Sequence, residues 1–422
     1  MIIMKKNGVN DAIKDTIYQF NAPLIFNFTC FILKKAAERG IDRIYFLSRD
    51  GYEPFQYAKK LNADLGLGLD LRYLYASRLA WRLPAYSVLP KEKIIESVFA
   101  PSFFMTPFLI FERIMATDEE KRELIGQLKE FDMYETLNGM RLKEFREKLA
   151  DNPLFWNILN QNAAAALEKT LAYFEQEGLT EKDFAICDSG WSGTMQRCLQ
   201  VILDSTGRKI HITGFYFGLY MKPQEEPFDY CAFYFSPNRY FFRKLKFNNN
   251  LLESLLVSPD PMTVGYHKER DKYMPVFKTG TAPYFDEDHA CLHEWAESKR
   301  AQNLYFLPEK QRINKISRKI RRVMFCPRKE QLQCFERYSF SDDPAEKDKH
   351  SLVKVLTKKE ARNLLFFNRA LRKLSRKKTE NETRVYWSYG SIAASQLKFK
   401  LWYRMNIYLW EMLRALKNKL KQ

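Results

Sequence analysis

Short apolar runs alternate with helical stretches along roughly the first 290 residues. A helical pattern covers Asp11 to Gly40, with Pro23 early in it and Gly40 as a candidate C-cap. The elements predicted after it are strand Ile44 to Ser48, helix Glu53 to Leu61, strand Leu71 to Ala76, strand Phe184 to Asp188, helix Thr194 to Leu203, strand His211 to Tyr220 and strand Cys231 to Phe235. Because strands that alternate with helices form parallel sheets, the pattern predicts an α/β fold with a Rossmann-like parallel sheet.

Two regions depart from this alternation. Residues 90 to 180 are helical throughout and predict a helical insert over the sheet. After about residue 290, glycine is nearly absent, strand patterns vanish, and lysine and arginine crowd two segments. We therefore predict a boundary between Gly280 and Leu304, with an α/β domain over residues 1–290 and a basic helical C-terminal region over 291–422.

The basic region contains two amphipathic stretches, Arg312 to Met324 and Leu397 to Gln422. In the second stretch, apolar side chains recur at helical spacing at Leu401, Met405, Tyr408, Leu409, Met412, Leu416 and Leu420. The face opposite to them carries Lys398, Arg404, Arg414, Lys417 and Lys421. The pattern predicts either an interfacial helix lying on anionic lipid or a helix docked on the core with a solvated basic face.

The composition limits the cellular locations and the classes of partner that are expected for this protein. No run of about 18 uncharged apolar residues is present, so a spanning helix is not expected. Met1 to Asn10 lacks the features of a secretory signal, and seven scattered cysteines without CxxC spacing indicate reduced thiols. We expect a cytoplasmic protein that is peripheral on the inner membrane if its tail binds lipid. The net charge of +18 favours polyanions, among which nucleic acid is least favoured because no nucleic-acid motif accompanies the charge.

The first candidate site follows the strand that ends near Ser48. Arg49, Asp50 and Gly51 come directly after it, where the carboxyl ends of parallel strands collect ligand-binding groups. Asp50 is predicted to bind Mg²⁺ or sugar hydroxyls, and Arg49 to bind phosphate, with Ser48 beside them. The alternative is an Arg–Asp pair that only closes the turn.

The second candidate site lies directly before the helix at Thr194. Its sequence is Asp188, Ser189, Gly190, Trp191, Ser192, Gly193 and Thr194. Glycines and hydroxyl residues at a helix N-terminus can present amides and hydroxyl groups to an anion, which predicts a phosphate site. The alternative is a glycine-rich turn that caps a helix, with Trp191 in the core.

Three further positions are candidates. Ser77 and Arg78 follow another strand and would reach the same rim of the sheet, where Arg78 could hold a second phosphate or a carboxylate; alternatively, Arg78, Trp81 and Arg82 form an ordinary helix face. Glu253 is a candidate general base or metal ligand, or an exposed helical glutamate. His289, Cys291 and His293 with Glu294 have the spacing of zinc ligands on a strand but lack a second pair.

The motifs FLSRDGY, YLYASRLA and FAICDSGWSGTMQ, in this order, resemble the downstream module of haloacid dehalogenase-like predicted hydrolases of bacterial surface polysaccharide (capsule or lipopolysaccharide) biosynthesis. The resemblance covers roughly residues 20 to 270. It implies a phosphosugar, nucleotide sugar or lipid-linked phosphate as ligand, and Asp50 and Asp188 are predicted to bind Mg²⁺ or the sugar hydroxyls of that ligand. The superfamily's nucleophilic aspartate is missing, because Ser48, Arg49 and Asp50 stand at the aligned positions. A degenerate or repurposed hydrolase or transferase is therefore expected.

The strand and turn around Asp188 are also similar to phosphoribosyltransferase loops, in which acidic residues hold ribose hydroxyls and a following turn wraps phosphate. This chain has one acidic residue where those loops have two, and a slightly shorter turn.

A third hypothesis is a non-catalytic scaffold module that reaches the membrane through Leu397 to Gln422. The two resemblances predict a phosphate-bearing ligand at the same sheet edge.

Overall fold

The computed structural model describes residues 11–102, 105–221, 228–256, 258–278, 284–340, 350–375 and 385–419. Several sequence predictions fall outside these ranges: the absence of a signal in Met1 to Asn10, the boundary residue Gly280, and Leu420 and Lys421 of the C-terminal helix.

Five parallel strands form the main sheet. They are, in chain order, β1 (Arg43–Leu47), β2 (Asp70–Leu74), β3 (Phe184–Trp191), β4 (Ile212–Leu219) and β5 (Asp229–Phe235). Their spatial order is β2-β1-β3-β4-β5, and every neighbouring pair is parallel. The predicted α/β fold with a Rossmann-like sheet is confirmed. Since the chain goes from β1 outward to β2 and returns on the other side of β1, the carboxyl ends of β1 and β3 flank the point where such sheets open a ligand crevice.

Helices lie around the sheet. They are α1 (Asp11–Thr16), α2 (Ala22–Arg39), α3 (Tyr52–Leu65), α4 (Arg78–Ala85), α5 (Lys91–Val98), α6 (Pro107–Glu112), α7 (Asp118–Gln127), α8 (Gly139–Ala150), α9 (Pro153–Gln176), α10 (Thr194–Asp204), α11 (Asn249–Leu255), α12 (Phe285–Ala296), α13 (Lys299–Tyr305), α14 (Glu309–Phe325), α15 (Lys329–Phe335), α16 (Lys358–Asn363), α17 (Phe366–Ser375), α18 (Ser388–Ala394) and α19 (Lys400–Lys419). A π-helical segment, Ile17–Asn21, joins α1 to α2, and a 3-10 turn covers Phe241–Lys244.

The alternation of side chains in β1 explains why helices cover both faces of the sheet. Ile44 and Phe46 belong to a core cluster with α2, α3 and α14, whereas Tyr45 and Leu47 belong to a cluster with α4, α9 and α10. Successive side chains of a strand point to opposite faces, so a strand that is apolar throughout requires cover on both. All five residues of β1 are buried.

Helix α2 is the central helix of the first face. It is apolar almost all round, as a helix enclosed by other elements must be. It ends as predicted at Gly40, whose φ of 66° is left-handed and whose N–H donates to the carbonyls of Ala36 and Ala37. By length and composition alone, the continuous helix Asp11–Arg39 could cross a membrane, and 89% of its apolar window is buried inside the protein. That burial is typical of a core helix.

The predicted insert contains α5 to α9 and has a hydrophobic cluster of its own, which runs from Leu83 to Ala163. The C-terminal region behaves differently, because Trp295, Ile320 and Trp387 belong to the same cluster as Phe46 of β1. One hydrophobic core therefore continues across the predicted boundary between residues 280 and 304.

The structure departs from the sequence predictions in three places. Strand β3 runs to Trp191 and not to Asp188, because it continues its pairing with β4. An unpredicted antiparallel hairpin, β6 (Thr263–Glu269) and β7 (Lys272–Phe277), packs beside α4 and α9. Two-residue strands, β8 (Ser339–Phe340) and β9 (His350–Ser351), lie in the region expected to lack strands. Such short pairs form through long-range contacts that local patterns do not encode.

Candidate functional site at the carboxyl edge of β1 and β3

The turn after β1 is tightly built. The Ser48 hydroxyl donates to the Ala76 carbonyl at 2.8 Å and accepts from the Ala76 N–H at 2.9 Å, which ties the end of β1 to the end of β2. Arg49 adopts a left-handed φ of 69°, and its N–H donates to Tyr73 Oη. Gly51 is required because a Cβ there would lie 2.5 Å from the Leu47 carbonyl oxygen. The turn therefore holds Asp50 in one position beyond the strand.

The last residues of β3 form the opposite side of the site. Gly190 has a φ of 106°, and a Cβ would lie 2.4 Å from the Gly218 carbonyl oxygen on β4. Trp191 also has a left-handed φ, of 73°. Backbone outliers of this kind collect at functional sites, where the surrounding structure maintains the strain. Asp188 to Trp191 thus belong to the strand, and only Ser192 and Gly193 separate it from α10, which corrects the prediction that the strand ends at Asp188.

Glu253 reaches this site from α11, far along the chain. Asn248 caps α11 by accepting from the Leu251 N–H at 2.7 Å. Glu253 is partly buried, and its Oε1 accepts from Trp191 Nε1 at 2.5 Å. The indole ring itself packs against Phe247 at 5.6 Å and Tyr220 at 5.7 Å. Trp191 therefore both fills an aromatic cluster and positions a carboxylate.

Three carboxyl groups interact at this edge. Burial raises the pKa of Asp50, and hydrogen bonding from Ser189 opposes that shift. Burial and then the nearby Asp50 raise the pKa of Asp188 to about 8. The same two causes, in the same order, raise the pKa of Glu253 to about 7. Because each charge disfavours the others, the group tends to hold protons near neutral pH.

Arg78 is the shared cationic neighbour of the three carboxyl groups. It begins α4, its side chain is exposed, and its charge lowers the pKa of Asp50, of Asp188 and of Glu253. Arg49 likewise opposes the shifts at Asp50 and Glu253. The structure therefore brings together five of the residues predicted from sequence: two cations and three carboxyl groups around one edge of the sheet.

Sequence reasoning missed the basic side chains next to Arg78. Burial lowers the pKa of Arg82, and Arg78 adds to the effect. Burial and then Arg82 lower the pKa of Arg113 to about 10, while the Arg113 guanidinium donates to the carbonyls of Val98 and Ala100. No carboxylate is among the groups that shift either residue in the described part of the chain. The i, i+4 spacing of Arg78 and Arg82 was the available signal.

The hydroxyl residues have mostly local partners. Ser77 caps α4 by accepting from the N–H groups of Leu79 and Ala80, and it donates to the Thr263 carbonyl. Ser192 and Thr194 hydrogen bond to each other at 2.9 Å across the start of α10. Gly193 precedes α10 with a left-handed φ of 65°, and it leaves the helix without a side-chain cap. A helix start without a side-chain cap is one where a ligand can satisfy the first N–H groups.

The donor atoms suit Mg²⁺, which usually takes one or two carboxylates together with waters and substrate phosphate oxygens. Asp50 and Asp188 would be those carboxylates. Within the described ranges, no group of three or more His, Cys, Asp or Glu side chains is arranged to hold a metal ion by itself. The zinc hypothesis for His289 to Glu294 assumed a strand; these residues lie instead on α12, where His289 Nδ1 is 2.8 Å from Glu53 Oε1.

Comparison of the chain with protein-family models finds no match, and comparison with curated proteins finds no relative. The structure itself establishes the α/β fold, and the geometry of the site supports the function proposed below.

Proposed function

We propose that the protein binds a phosphorylated sugar at the carboxyl edge of β1 and β3, as a phosphosugar, a nucleotide sugar or a lipid-linked phosphate. The observation that carries the proposal is the cluster of Asp50, Asp188 and Glu253 around Arg78, at the point where the strand order reverses. Carboxylates accept hydrogen bonds from sugar hydroxyls, and a guanidinium group binds phosphate oxygens.

The basic groups support the phosphate part of the proposal. Arg78 is exposed, and Arg82 and Arg113 lie close enough for their charges to repel. An anion that binds between like charges reduces the repulsion between them and favours their charged forms. The N-terminus of α10, with Ser192 and Thr194 beside it, adds N–H donors for a second phosphate oxygen.

The carboxyl groups support acid–base chemistry on this ligand. With a pKa of about 7, Glu253 is suited to exchange a proton at neutral pH. Mg²⁺ held by Asp50 and Asp188 would neutralise charge on the bound phosphate. Both hydrolysis and group transfer are compatible with these roles. The Ser48 hydroxyl is engaged by Ala76 in both directions, which favours a reaction without a covalent intermediate at that position.

On the basis of the sequence resemblance, we further propose that the protein is haloacid dehalogenase-like and acts in bacterial surface polysaccharide biosynthesis. It rests on the order of the three motifs. The phosphoribosyltransferase alternative is less well supported, since only Ser192 and Gly193 lie between β3 and α10 to wrap a phosphate. A non-catalytic scaffold at the membrane is the second candidate, favoured by the exposed face of α19.

The experiment is thermal unfolding of the full chain with Mg²⁺ and, separately, phosphosugars, nucleotide sugars and phosphoribosyl pyrophosphate. A ligand at 100 times its Kd should stabilise the protein by about 2.7 kcal/mol. We expect this stabilisation from at least one phosphorylated sugar, and we expect Asp188→Asn and Arg78→Ala each to remove it.

Glu168→Gln is the matched control, because Glu168 is an exposed carboxylate on α9 and resembles the site only in charge. It should keep the full stabilisation. The proposal is overturned if no phosphorylated sugar stabilises the wild-type protein, or if stabilisation survives in both site variants.

A further inference from the structure

Helix α19 presents its apolar side to solvent. Leu401, Trp402, Met405, Leu409, Leu413 and Leu416 are between 37% and 64% exposed. Their positions recur at steps of three and four residues, so they form one continuous stripe along the helix. We call this stripe the α19 apolar face. No side chain in the described part of the chain buries it.

The orientation of α19 is set by its opposite side. Ile407 is fully buried and Ala415 nearly so. Glu411 accepts from the Tyr389 hydroxyl at 2.7 Å, and the buried Arg404 donates to Cys326 Sγ at 3.1 Å. These contacts hold this side of the helix against α18 and the end of α14. Because that side is docked, the α19 apolar face cannot also turn inward.

A continuous exposed apolar stripe of this length is typical of a surface that binds a partner. Single exposed apolar residues are common, whereas contiguous patches on soluble proteins mark interaction sites. Two neighbouring features extend the apolar surface: Phe399 is 81% exposed just before α19, and Phe367 is 74% exposed on α17. Helix α17 contacts α19 through Phe366 and Trp410, with ring centroids 5.9 Å apart.

The charges favour an anionic covering surface. Glu411 is the single acidic residue of α19, and it faces inward. Arg414, Lys417 and Lys398 are exposed. The exposed part of the helix thus combines apolar and basic side chains without a carboxylate. A second copy of the chain would bring like charges together across the face, which opposes self-association.

We propose that the α19 apolar face docks on an anionic lipid surface. The apolar stripe enters the boundary between head groups and acyl chains, and Arg414 and Lys417 contact anionic head groups. Trp402 and Phe399 lie at the depth that aromatic rings prefer in a bilayer. This inference is independent of the proposed function at the sheet edge.

The experiment is sedimentation of the full chain with phosphatidylcholine vesicles, with or without about one-third phosphatidylglycerol. We expect binding to the anionic vesicles to exceed binding to neutral vesicles by roughly tenfold, since a few exposed cations each add attraction. The double variant Leu409→Asn with Leu413→Asn should lose roughly tenfold or more in binding through lost apolar burial. Met140→Asn is the control, because Met140 is an apolar side chain on the insert that is more exposed than Leu409 or Leu413, and this variant should bind like wild type.

The inference is overturned if the wild-type protein does not sediment with anionic vesicles, or if the double variant binds as well as wild type. A concentration-dependent dimer in sedimentation velocity that the double variant abolishes would assign the face to a second copy instead. Brominated lipids provide an independent readout, since they should quench tryptophan fluorescence in wild type and less so in Trp402→Phe. Equal quenching in both proteins would place Trp402 away from lipid and contradict the proposal.

Discussion

The sheet-edge site and the α19 apolar face both depart from the usual rule that charged side chains are exposed and apolar ones are buried. They depart from it in opposite ways. At the sheet edge, Asp50, Asp188 and Glu253 are partly withdrawn from water although their charges repel. On α19, apolar side chains such as Leu401 and Trp402 are left in water. Each arrangement costs free energy of folding, the first through desolvation and the second through lost burial. Binding of the proposed partners, a phosphorylated sugar at the sheet edge and an anionic lipid surface at α19, would offset these two costs.

The two regions should respond differently to mutation. The sheet edge is tightly constrained by backbone geometry, so changes of shape there should be severe. The α19 apolar face has no partner among the described residues, so changes there should affect binding and leave the free energy of unfolding almost untouched.

The largest effect is expected from Gly190→Ala. The added Cβ would meet the Gly218 carbonyl oxygen at 2.4 Å, and φ of 106° is strained for alanine. We expect the free energy of unfolding to fall by about 4 kcal/mol, the sum of backbone strain and overpacking. Urea unfolding measures it. Gly126→Ala is the control, since a Cβ at Gly126 meets nothing within 4 Å; equal losses in both variants would show that β3 does not extend through Gly190.

The next largest effect is expected for a matched pair of substitutions on α19, one at a buried residue and one at an exposed residue. Ile407→Ala should lower the free energy of unfolding by about 3 kcal/mol, because Ile407 is fully buried. Leu409→Ala, two residues further along the same helix, should change it by less than about 0.5 kcal/mol. Urea unfolding of both variants measures the difference. Similar losses at the two positions would mean that Leu409 is buried and that the proposed lipid-binding face does not exist.

The smallest effect, and one of opposite sign, is expected from Asp188→Asn. The native pKa of Asp188, about 8, lies above its ordinary value near 3.8. Between these two pH values the folded protein holds a proton that the unfolded chain has released, so the free energy of unfolding falls as pH rises. Asparagine removes this contribution, and the variant should be more stable than wild type by about 1–2 kcal/mol at pH 8.

The check is urea unfolding of Asp188→Asn at several pH values. The stability difference from wild type should shrink steadily as the pH falls from 8 towards 3.8 and vanish near pH 3, where the carboxyl group is protonated in both states. Part of the pH dependence should remain, because Asp50 and Glu253 also titrate. A variant that is less stable than wild type at pH 8 would show that the Asp188 charge is favourable in the native protein.

The periodicity of the sequence was enough to predict the strands of the parallel sheet, the helix that ends at Gly40, and the placement of Asp50 and Asp188 at one edge. These depend on local patterns and on the rule that parallel strands end together. The sequence could not reveal that β3 continues to Trp191, because its length depends on pairing with β4. It could not show that Glu253 meets Asp188 or that Arg113 lies near Arg82, since chain folding alone brings them together.

The same limit applies to the two amphipathic helices. The pattern determined by itself that α14 and α19 each have an apolar and a basic side. In α14 the apolar Ile313, Ile316 and Ile320 are buried, whereas in α19 the apolar side is exposed and Ile407 with Arg404 is buried. Helical periodicity specifies which side chains share a face, but which face is buried depends on the surface that the rest of the chain offers. Tertiary structure alone decided that, because the contacts that fix α19 come from Cys326, Tyr389 and other residues distant in sequence.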